Sequence, residues 1–267
     1  MTKHDKETAD MKHISSAIGA GKIRRASRFI REDGRGFLVA IDMQTGSGEG
    51  PALDAVEKVA AGGPDGILVS WQIARRYPEV FRRCGLVLRI DGTTTMLGNR
   101  AKSDMFAQMY ELEMAARLGA DAVVCMAFPG KDDEEVSLRK LVALVDEAEE
   151  IGMPVIAESI PGGWGGPVPW DAKNIALAAR ICVEVGADAI KTPAPENLTE
   201  MKLLVDNCQA PIFILGGPKK DSEDEVVKYA ADVVAAGASG IAFGRNTWLA
   251  KDPTEMTRRL AKAVHGS

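Results

Sequence analysis

Residues 181–192 read ICVEVGADAIKT, and this stretch decides the predicted fold. It joins the end of a helical segment to a short apolar strand through Gly186-Ala187-Asp188, where glycine permits the left-handed backbone that often ends a helix. The same junction recurs as Gly119-Ala120-Asp121 and Gly237-Ala238-Ser239. A helix-to-strand junction that repeats along the chain predicts successive βα units and a parallel sheet.

Eight such units can be drawn along the chain. The predicted strands are nearly continuous apolar runs, which suits strands that are buried on both faces, and they cover residues 37–42, 66–70, 86–90, 121–126, 154–158, 188–192, 211–215 and 240–243. Helical periodicity fills the intervals, at residues 51–62, 72–83, 100–118, 133–150, 171–185, 196–207, 222–236 and 253–264. A further amphipathic segment at 14–32 is predicted to close the barrel floor.

The chain length favours one barrel over two domains. A single (β/α)₈ barrel needs roughly 250 residues, and the chain has 267. We therefore predict a polar N-terminal tail at 1–13, followed by an α/β TIM barrel with an extra N-terminal helix over 14–267. The rival architecture, a doubly wound open sheet, would place G-x-G-x-x-G directly after the first strand. That place holds GSGEGP at 46–51, whose spacing fails; we interpret it as a substrate-covering loop, with a phosphate cradle as the alternative.

Charge and hydropathy exclude several classes of protein. The net charge of −5 comes from 33 basic and 38 acidic residues that are interspersed, so no basic stripe is available to bind nucleic acid. No apolar run approaches the roughly 20 residues that span a bilayer, and the N-terminus is polar. These features predict a soluble cytoplasmic protein without nucleic-acid or membrane partners.

The cysteines and histidines limit the possible chemistry. The four cysteines form no C-x-x-C pair, and the histidines, His4, His13 and His265, leave positions 14–264 without an imidazole. This distribution argues against a Ser-His-Asp triad, a histidine general base and a typical histidine-ligated metal site. We therefore expect neither a metal nor a cofactor.

Polar residues end several of the predicted strands. In such barrels the active site lies at the carboxyl ends of the strands, where the sequence places Asp42, Arg89, Asp91, Glu158 and Lys191. An amine attacks a carbonyl only after losing its proton, and an apolar interior with a second cation nearby favours that neutral form. Lys191 is therefore a candidate nucleophile. The alternative is an ordinary strand-end lysine whose amine reaches solvent or a carboxylate.

Two glycine-containing segments follow the last two predicted strands. They read Gly216-Gly217-Pro218-Lys219 and Gly244-Arg245-Asn246. Barrel enzymes commonly hold phosphate in these loops, where glycines allow the backbone to approach and an arginine can bind two oxygens. Each segment alone also fits a tight turn, but together they predict a phosphate site.

These residues, in this order, resemble the superfamily of archaeal-type class I fructose-bisphosphate aldolases and deoxyribose-phosphate aldolase. The resemblance covers nearly the whole chain from about residue 14, and the last third is also similar to the autoinducer-2-phosphate thiolase branch. It implies that Lys191 is the Schiff-base lysine and Asp42 an active-site carboxylate. It also implies that Gly216, Gly217, Gly244 and Arg245 bind phosphate.

Two stretches depart from the pattern of these aldolases. The chain has Asp42-Met43-Gln44 where they usually carry Asp-His-Gly, and Ile160-Pro161-Gly162-Gly163 where they tend to have Tyr-Pro-Arg-Gly. The tyrosine that transfers protons is therefore missing. Glu158 is the nearest replacement, either as a buried glutamate with a raised pKa that shuttles protons or as an ion-pair partner of Lys191 or Arg89.

The predicted activity is that of a lyase that makes or breaks a carbon–carbon bond in a phosphorylated ketose. Lys219, Arg89 and Trp164 complete the predicted substrate site, with Trp164 on a glycine-rich loop that either covers a sugar or is only solvent-exposed. The alternatives are a lysine-dependent thiolase or transaldolase acting on a phosphorylated dicarbonyl, and a non-catalytic sugar-phosphate-binding barrel. The resemblance also implies a homo-oligomer.

Overall fold

A computed structural model of the protein describes residues 19–42, 54–92 and 107–266. The predicted tail at 1–13, the loop at 46–51 and the beginnings of the segments at 14–32, 51–62 and 100–118 lie wholly or partly outside these ranges.

Ten strands occur in the described ranges, and eight of them close into a parallel barrel. The strands are β1 (Gly36–Ile41), β2 (Gly66–Val69), β3 (Gly85–Arg89), β4 (Asp91–Gly92), β5 (Ala107–Gln108), β6 (Ala122–Ala127), β7 (Val155–Ser159), β8 (Ala189–Thr192), β9 (Ile212–Leu215) and β10 (Gly240–Phe243). The order around the barrel is β1-β10-β9-β8-β7-β6-β3-β2, and β4 pairs with β5 in a separate antiparallel ribbon. The predicted TIM barrel is confirmed, with every barrel strand within one residue of its predicted bounds.

Helices follow most of the strands. They are α1 (Ala20–Ala26), α2 (Ala55–Ala61), α3 (Trp71–Arg76), α4 (Leu112–Arg117), α5 (Glu134–Ile151), α6 (Ala172–Glu184), α7 (Met201–Asn207), α8 (Glu223–Ala235), α9 (Arg245–Trp248) and α10 (Pro253–His265), with 3₁₀ turns at Val80–Arg82 and Leu198–Glu200. None of the helices in the described ranges is long and apolar enough to cross a membrane.

The helix predictions were wrong in four places. The segment predicted at 100–118 contains β5, and its described helix is only α4, because residues 107–108 pair with β4 instead of continuing a helix. The segment at 72–83 ends early at Tyr77, because Pro78 disfavours a helical backbone at the residue before it. The segment at 196–207 begins as a 3₁₀ turn, and α9 was not predicted.

Two apolar layers hold the barrel together. Outward-facing strand residues pack against the helices, and inward-facing residues such as Leu38, Val87 and Ile156 fill the interior. The interior cluster also contains Ala26, Phe29 and Ile30, from α1 and the chain that follows it. These residues plug the barrel at the amino ends of the strands, as predicted, and leave the carboxyl ends for polar groups.

Candidate active site

Lys191 lies inside the barrel, near the carboxyl end of β8. It is 6% exposed and in register with Glu158 on the neighbouring strand β7. Because alternate residues of a strand face the same side, Lys191 shares the interior with Ala189, and Glu158 shares it with Ile156. The Lys191 Nζ is 2.8 Å from Glu158 Oε1. The structure therefore contains the Lys191–Glu158 ion pair that the sequence analysis gave as one alternative.

Arg89 connects carboxylates from three places around the barrel. Its guanidinium is 2.8 Å from Asp42 Oδ2 and 3.2 Å from Asp91 Oδ1, and it also donates a hydrogen bond to Glu158 Oε2. One strand separates β3 from β1 and another separates β3 from β7, so this side chain spans the barrel interior to reach its partners. We call Asp42, Arg89, Asp91, Glu158 and Lys191 the mouth cluster.

Asp91 fixes one side of the mouth cluster. Its Oδ2 accepts hydrogen bonds from the backbone N–H of Met126 at 2.7 Å and from Lys140 Nζ at 2.6 Å. Lys140 belongs to α5, outside the barrel, so the cluster is tied to the surrounding helices. A buried charge is tolerated when it is paired and hydrogen-bonded, and Asp91 satisfies both conditions.

The charges within the cluster determine the protonation state of Glu158. Burial acts to raise the pKa of Glu158, but the positive charges of Lys191 and Arg89 outweigh it and lower the pKa to about 2. Of the two alternatives for Glu158, the raised pKa is therefore wrong, and the ion pair is found with both cations. Burial also acts to lower the pKa of Arg89, whereas Asp42, Glu158 and Asp91 raise it well above its ordinary value. Both groups are charged at neutral pH.

Asp42 follows β1 and retains one unused oxygen. Its side chain is 4% exposed, and Oδ2 is bound to Arg89. Within the part of the chain that the structure describes, the buried Oδ1 has no hydrogen-bond partner. A buried carboxylate oxygen without a partner is costly, and a substrate hydroxyl at this position would satisfy it.

An apolar wall lies beside the mouth cluster. Met126, Phe128 and Ile160 are buried against one another, with Leu215 packed against them. These residues belong to β6, β7 and β9 or directly follow them. Ile160 is fully buried in this wall, so this side of the cluster is lined by an alkyl group.

The two predicted phosphate loops lie side by side after β9 and β10. Gly217 adopts φ +65°, which favours glycine, and a Cβ on Gly244 would lie 2.9 Å from the Ala40 carbonyl oxygen. Lys219 is exposed and Arg245 half-buried. Among the described residues, the backbone N–H groups of Gly217, Gly244 and Arg245 donate to no backbone carbonyl, and they remain available for an anion.

Asn246 was not selected as a site residue by the sequence analysis. It is 1% exposed. Its Nδ2 donates to the carbonyl oxygens of Gly216 and Pro218, both at 2.9 Å, and its Oδ1 accepts from the Lys220 N–H at 2.8 Å. Its place directly after Gly244-Arg245 was visible in the sequence, but contacts with a loop about 30 positions away were not.

Trp164 lies outside the mouth cluster. It is 43% exposed and packs edge-on against Trp170, with ring centroids 5.5 Å apart. Trp170 also borders a rim cleft of about 700 Å³ that is lined by Asp171, Glu196 and Glu200. The structure therefore places Trp164 on the rim, and its predicted role in covering a sugar stays a prediction.

The described residues contain no group of three or more His, Cys, Asp or Glu side chains arranged to hold a metal ion. Their four cysteines are buried and unpaired. Burial raises the pKa of Cys125 and Cys182 to about 12, so neither is a ready nucleophile at neutral pH.

A closed parallel barrel with a buried lysine–carboxylate cluster at its carboxyl end has the site location of barrel enzymes. The family model that matches residues 37–250 is that of the DeoC/LacD family aldolases. The chain therefore belongs to the DeoC/LacD family of aldolases.

Individual relatives agree with this assignment. The chain is 30% identical over 261 residues to an uncharacterized aldolase of Saccharolobus solfataricus, covering 91% of this chain and 94% of that one. It is 27% identical over 213 residues to the 2-amino-4,5-dihydroxy-6-oxo-7-(phosphonooxy)heptanoate synthase of Streptomyces griseus, covering 79% and 77%. A solved Schiff-base-forming fructose-1,6-bisphosphate aldolase is 28% identical, with a TM-score of 0.81 over 91% of this chain and 100% of that one.

Proposed function

We propose that this protein is a class I aldolase that makes or breaks a carbon–carbon bond in a phosphorylated ketose through a Schiff base on Lys191. The observation that carries the proposal is the buried amine of Lys191, 2.8 Å from the Glu158 carboxylate at the carboxyl end of β8. The similarity to a Schiff-base-forming aldolase supports the same assignment.

The resting ion pair provides a route for the protons of the first step. Lys191 as an ammonium ion carries three protons, and formation of an iminium with the substrate carbonyl leaves one on nitrogen. The other two depart with the carbonyl oxygen as water. Glu158 touches the amine, so it is placed to relay these protons and then to pair with the iminium cation.

Asp42 is our candidate for the second proton transfer. Cleavage requires removal of a proton from the substrate hydroxyl on the carbon two positions from the iminium carbon. The carbon–carbon bond between them then breaks, and its electron pair moves toward the positively charged iminium to form an enamine. Protonation of the enamine and hydrolysis then release the product and the lysine. The Oδ1 of Asp42, which has no hydrogen-bond partner among the residues that the structure describes, is suited to accept the hydroxyl proton, and Asp42 lies across Arg89 from Glu158.

Arg89 has a different role in this proposal from the substrate binding first predicted. Its guanidinium already contacts Asp42, Asp91 and Glu158, so it has little capacity left for a phosphate. We assign it to holding the two working carboxylates fixed in position, because hydrogen bonds between charged groups are both strong and directional.

The loops after β9 and β10 are our proposed phosphate site. The N–H groups of Gly217, Gly244 and Arg245, which donate to no backbone carbonyl within the described ranges, can donate to phosphate oxygens, while Arg245 and Lys219 supply positive charge. Anchoring the phosphate would orient the carbonyl toward Lys191, so that binding energy from a remote group supports the reaction. We also include Gly216 and Lys219 in this proposed site.

The similarity to a synthase of Streptomyces griseus favours testing bond formation as well as cleavage. The same lysine chemistry serves both directions, and a thiolase or transaldolase reaction would also begin with a covalent adduct on the amine. Such a reaction differs in the fate of the second fragment, which product analysis identifies.

A panel of phosphorylated ketoses tests the proposal. Wild-type protein should release an aldehyde from at least one of them, and Lys191→Met should lose this activity while keeping its fold. Lys228→Met is the matched control, because Lys228 is an exposed lysine paired with Asp232 on α8. Turnover by Lys191→Met at the wild-type rate would refute the proposal, as would phosphate binding by the wild type without turnover or adduct for any member.

A further inference from the structure

Asn246 joins the two loops that we propose as the phosphate site. Its side chain lies on α9, directly after Gly244 and Arg245, and all three of its hydrogen bonds go to the backbone of the loop at 216–220. Because Asn246 is 1% exposed, water cannot easily replace these bonds. The position of one loop therefore depends on the other.

The amide of Asn246 has no donor left for a ligand. A side-chain amide has two N–H donors and one oxygen, and here both donors bind carbonyl oxygens while the oxygen accepts from Lys220 N–H. Asn246 therefore does not contact an anion with its N–H groups. Its effect on an anion acts through the backbone groups that it fixes.

The two lysines of the loop, Lys219 and Lys220, have different surroundings. The Lys220 amine lies 5.0 Å from the centre of the Tyr229 ring, and that ring stacks on Phe243 of β10. Lys220 thus packs against the barrel through a cation–π contact, whereas Lys219 is exposed. Asn246 therefore holds the loop against the segment that carries Arg245, and Lys220 packs the same loop against the barrel.

We propose that Asn246 is a positioning residue for phosphate: it locks the Gly216–Lys220 loop against the Gly244–Arg245 turn and thereby sets the protein's preference for phosphorylated substrates. This inference rests on the phosphate site of the proposed function. It assigns the preference to a residue that makes no contact with the phosphate itself.

Calorimetric titration with inorganic phosphate tests the inference without a known substrate. Asn246→Ala should weaken phosphate binding roughly tenfold or more, because three buried hydrogen bonds that order the site are lost. Arg245→Ala, which removes a direct contact, should weaken it as well. Asn207→Ala is the control, since the exposed Asn207 side chain donates a hydrogen bond to Leu203 of its own helix, away from the two loops. A folded Asn246→Ala protein with wild-type affinity would overturn the inference.

Hydrogen exchange on the wild-type protein gives a second test that needs no folded variant. Phosphate should slow amide exchange in the 216–220 loop and in the 244–248 segment together, because Asn246 couples them. Slowing in only one of the two would overturn the coupling. If phosphate does not bind the wild type at all, the phosphate site of the proposed function fails too. Binding that Asn246→Ala leaves unchanged refutes only the role of Asn246.

Where a cleavable phosphorylated ketose is found, steady-state kinetics separate positioning from a general structural effect. Asn246→Ala should lower kcat/KM for the phosphorylated ketose, because a poorly held phosphate binds less tightly and no longer orients the carbonyl. It should not change kcat/KM for the dephosphorylated analogue. An equal loss of kcat/KM for both substrates would show that Asn246 supports the barrel mouth in general and would contradict the proposal.

Discussion

The Glu158 carboxylate is shared by two cations, one on each oxygen. Lys191 binds Oε1 and Arg89 binds Oε2, so the group is held ionised and in a fixed orientation before any substrate arrives. A carboxylate held in this way is a weak base at rest. In our proposal Glu158 gains a proton only when the Lys191 nitrogen attacks a substrate carbonyl.

Replacing Glu158 by glutamine tests this role. Glu158→Gln keeps the size of the side chain but cannot accept a proton from Lys191, so we expect kcat to fall by about 100-fold or more, the usual range for lost acid–base catalysis. Glu184→Gln is the control, because Glu184 pairs with Arg180 on an exposed helix face. Wild-type kcat in Glu158→Gln would remove Glu158 from the mechanism.

Single residues of the site were predictable to different degrees. Lys191, Glu158 and Asp42 each end an apolar run, and the carboxyl ends of barrel strands meet at one place, so their grouping could be predicted from the sequence. The pKa direction of Glu158 was not predictable, because it depends on which cations face its two oxygens. The role of Asn246 depends equally on contacts that only the closed barrel creates.

At the level of elements, Ala26, Phe29 and Ile30 plug the amino end of the barrel and pack against its interior residues. Phe29 is 1% exposed and lies 6.4 Å, centroid to centroid, from the Phe213 ring of β9. It belongs to the same cluster as Leu38, Val87 and Ile156. The plug therefore stabilises the strands on which the mouth cluster stands.

We expect Phe29→Ala to lower the free energy of unfolding by about 3–5 kcal/mol, as is usual when a buried phenylalanine is truncated. Urea denaturation followed by circular dichroism measures this change. Ile23→Ala, on the neighbouring helix α1, is the control because Ile23 is 36% exposed. Equal destabilisation by the two substitutions would show that the plug residues are not a major source of stability.

Elements with a strong local signal were the ones that sequence predicted well. The barrel strands are short and nearly continuous apolar runs, and each was located to within one residue. The β4–β5 ribbon was missed because each of its strands has only two residues, which is too short for a periodic pattern. The helix α9 spans a single turn and was missed for the same reason.

For the whole molecule, His265 joins the C-terminal helix to segments near the amino ends of the strands. Its Nδ1 is 2.7 Å from Asp33 Oδ2, and its Nε2 is 2.8 Å from Asp65 Oδ2. Asp65 also pairs with Arg31 and accepts from the Phe37 N–H. Both ring nitrogens can donate only when the imidazole is protonated. Burial acts to lower the pKa of His265, but Asp65 and Asp33 outweigh it, so the pKa is raised.

This contact predicts a pH-dependent contribution to stability. Because the pKa of His265 is higher in the folded protein, the contact contributes fully to stability below the ordinary pKa of 6.5. This stabilisation is lost as pH rises through the pKa that His265 has in the folded protein. His265→Gln should therefore lower Tm most at mildly acidic pH, and its Tm should approach that of the wild type in alkaline solution. Lys262→Gln, an exposed change on the same helix, is the control. A Tm difference that is independent of pH would contradict the protonated contact.

The most direct test of the central claim is borohydride reduction in the presence of phosphorylated ketoses, followed by peptide mapping. We expect a ketose that the wild type cleaves to leave a reduced, stable adduct on the peptide that contains Lys191, and Lys191→Met to carry none. Cleavage of that ketose without any adduct, or an adduct confined to another lysine such as Lys140, would contradict the assignment of Lys191 as the Schiff-base residue.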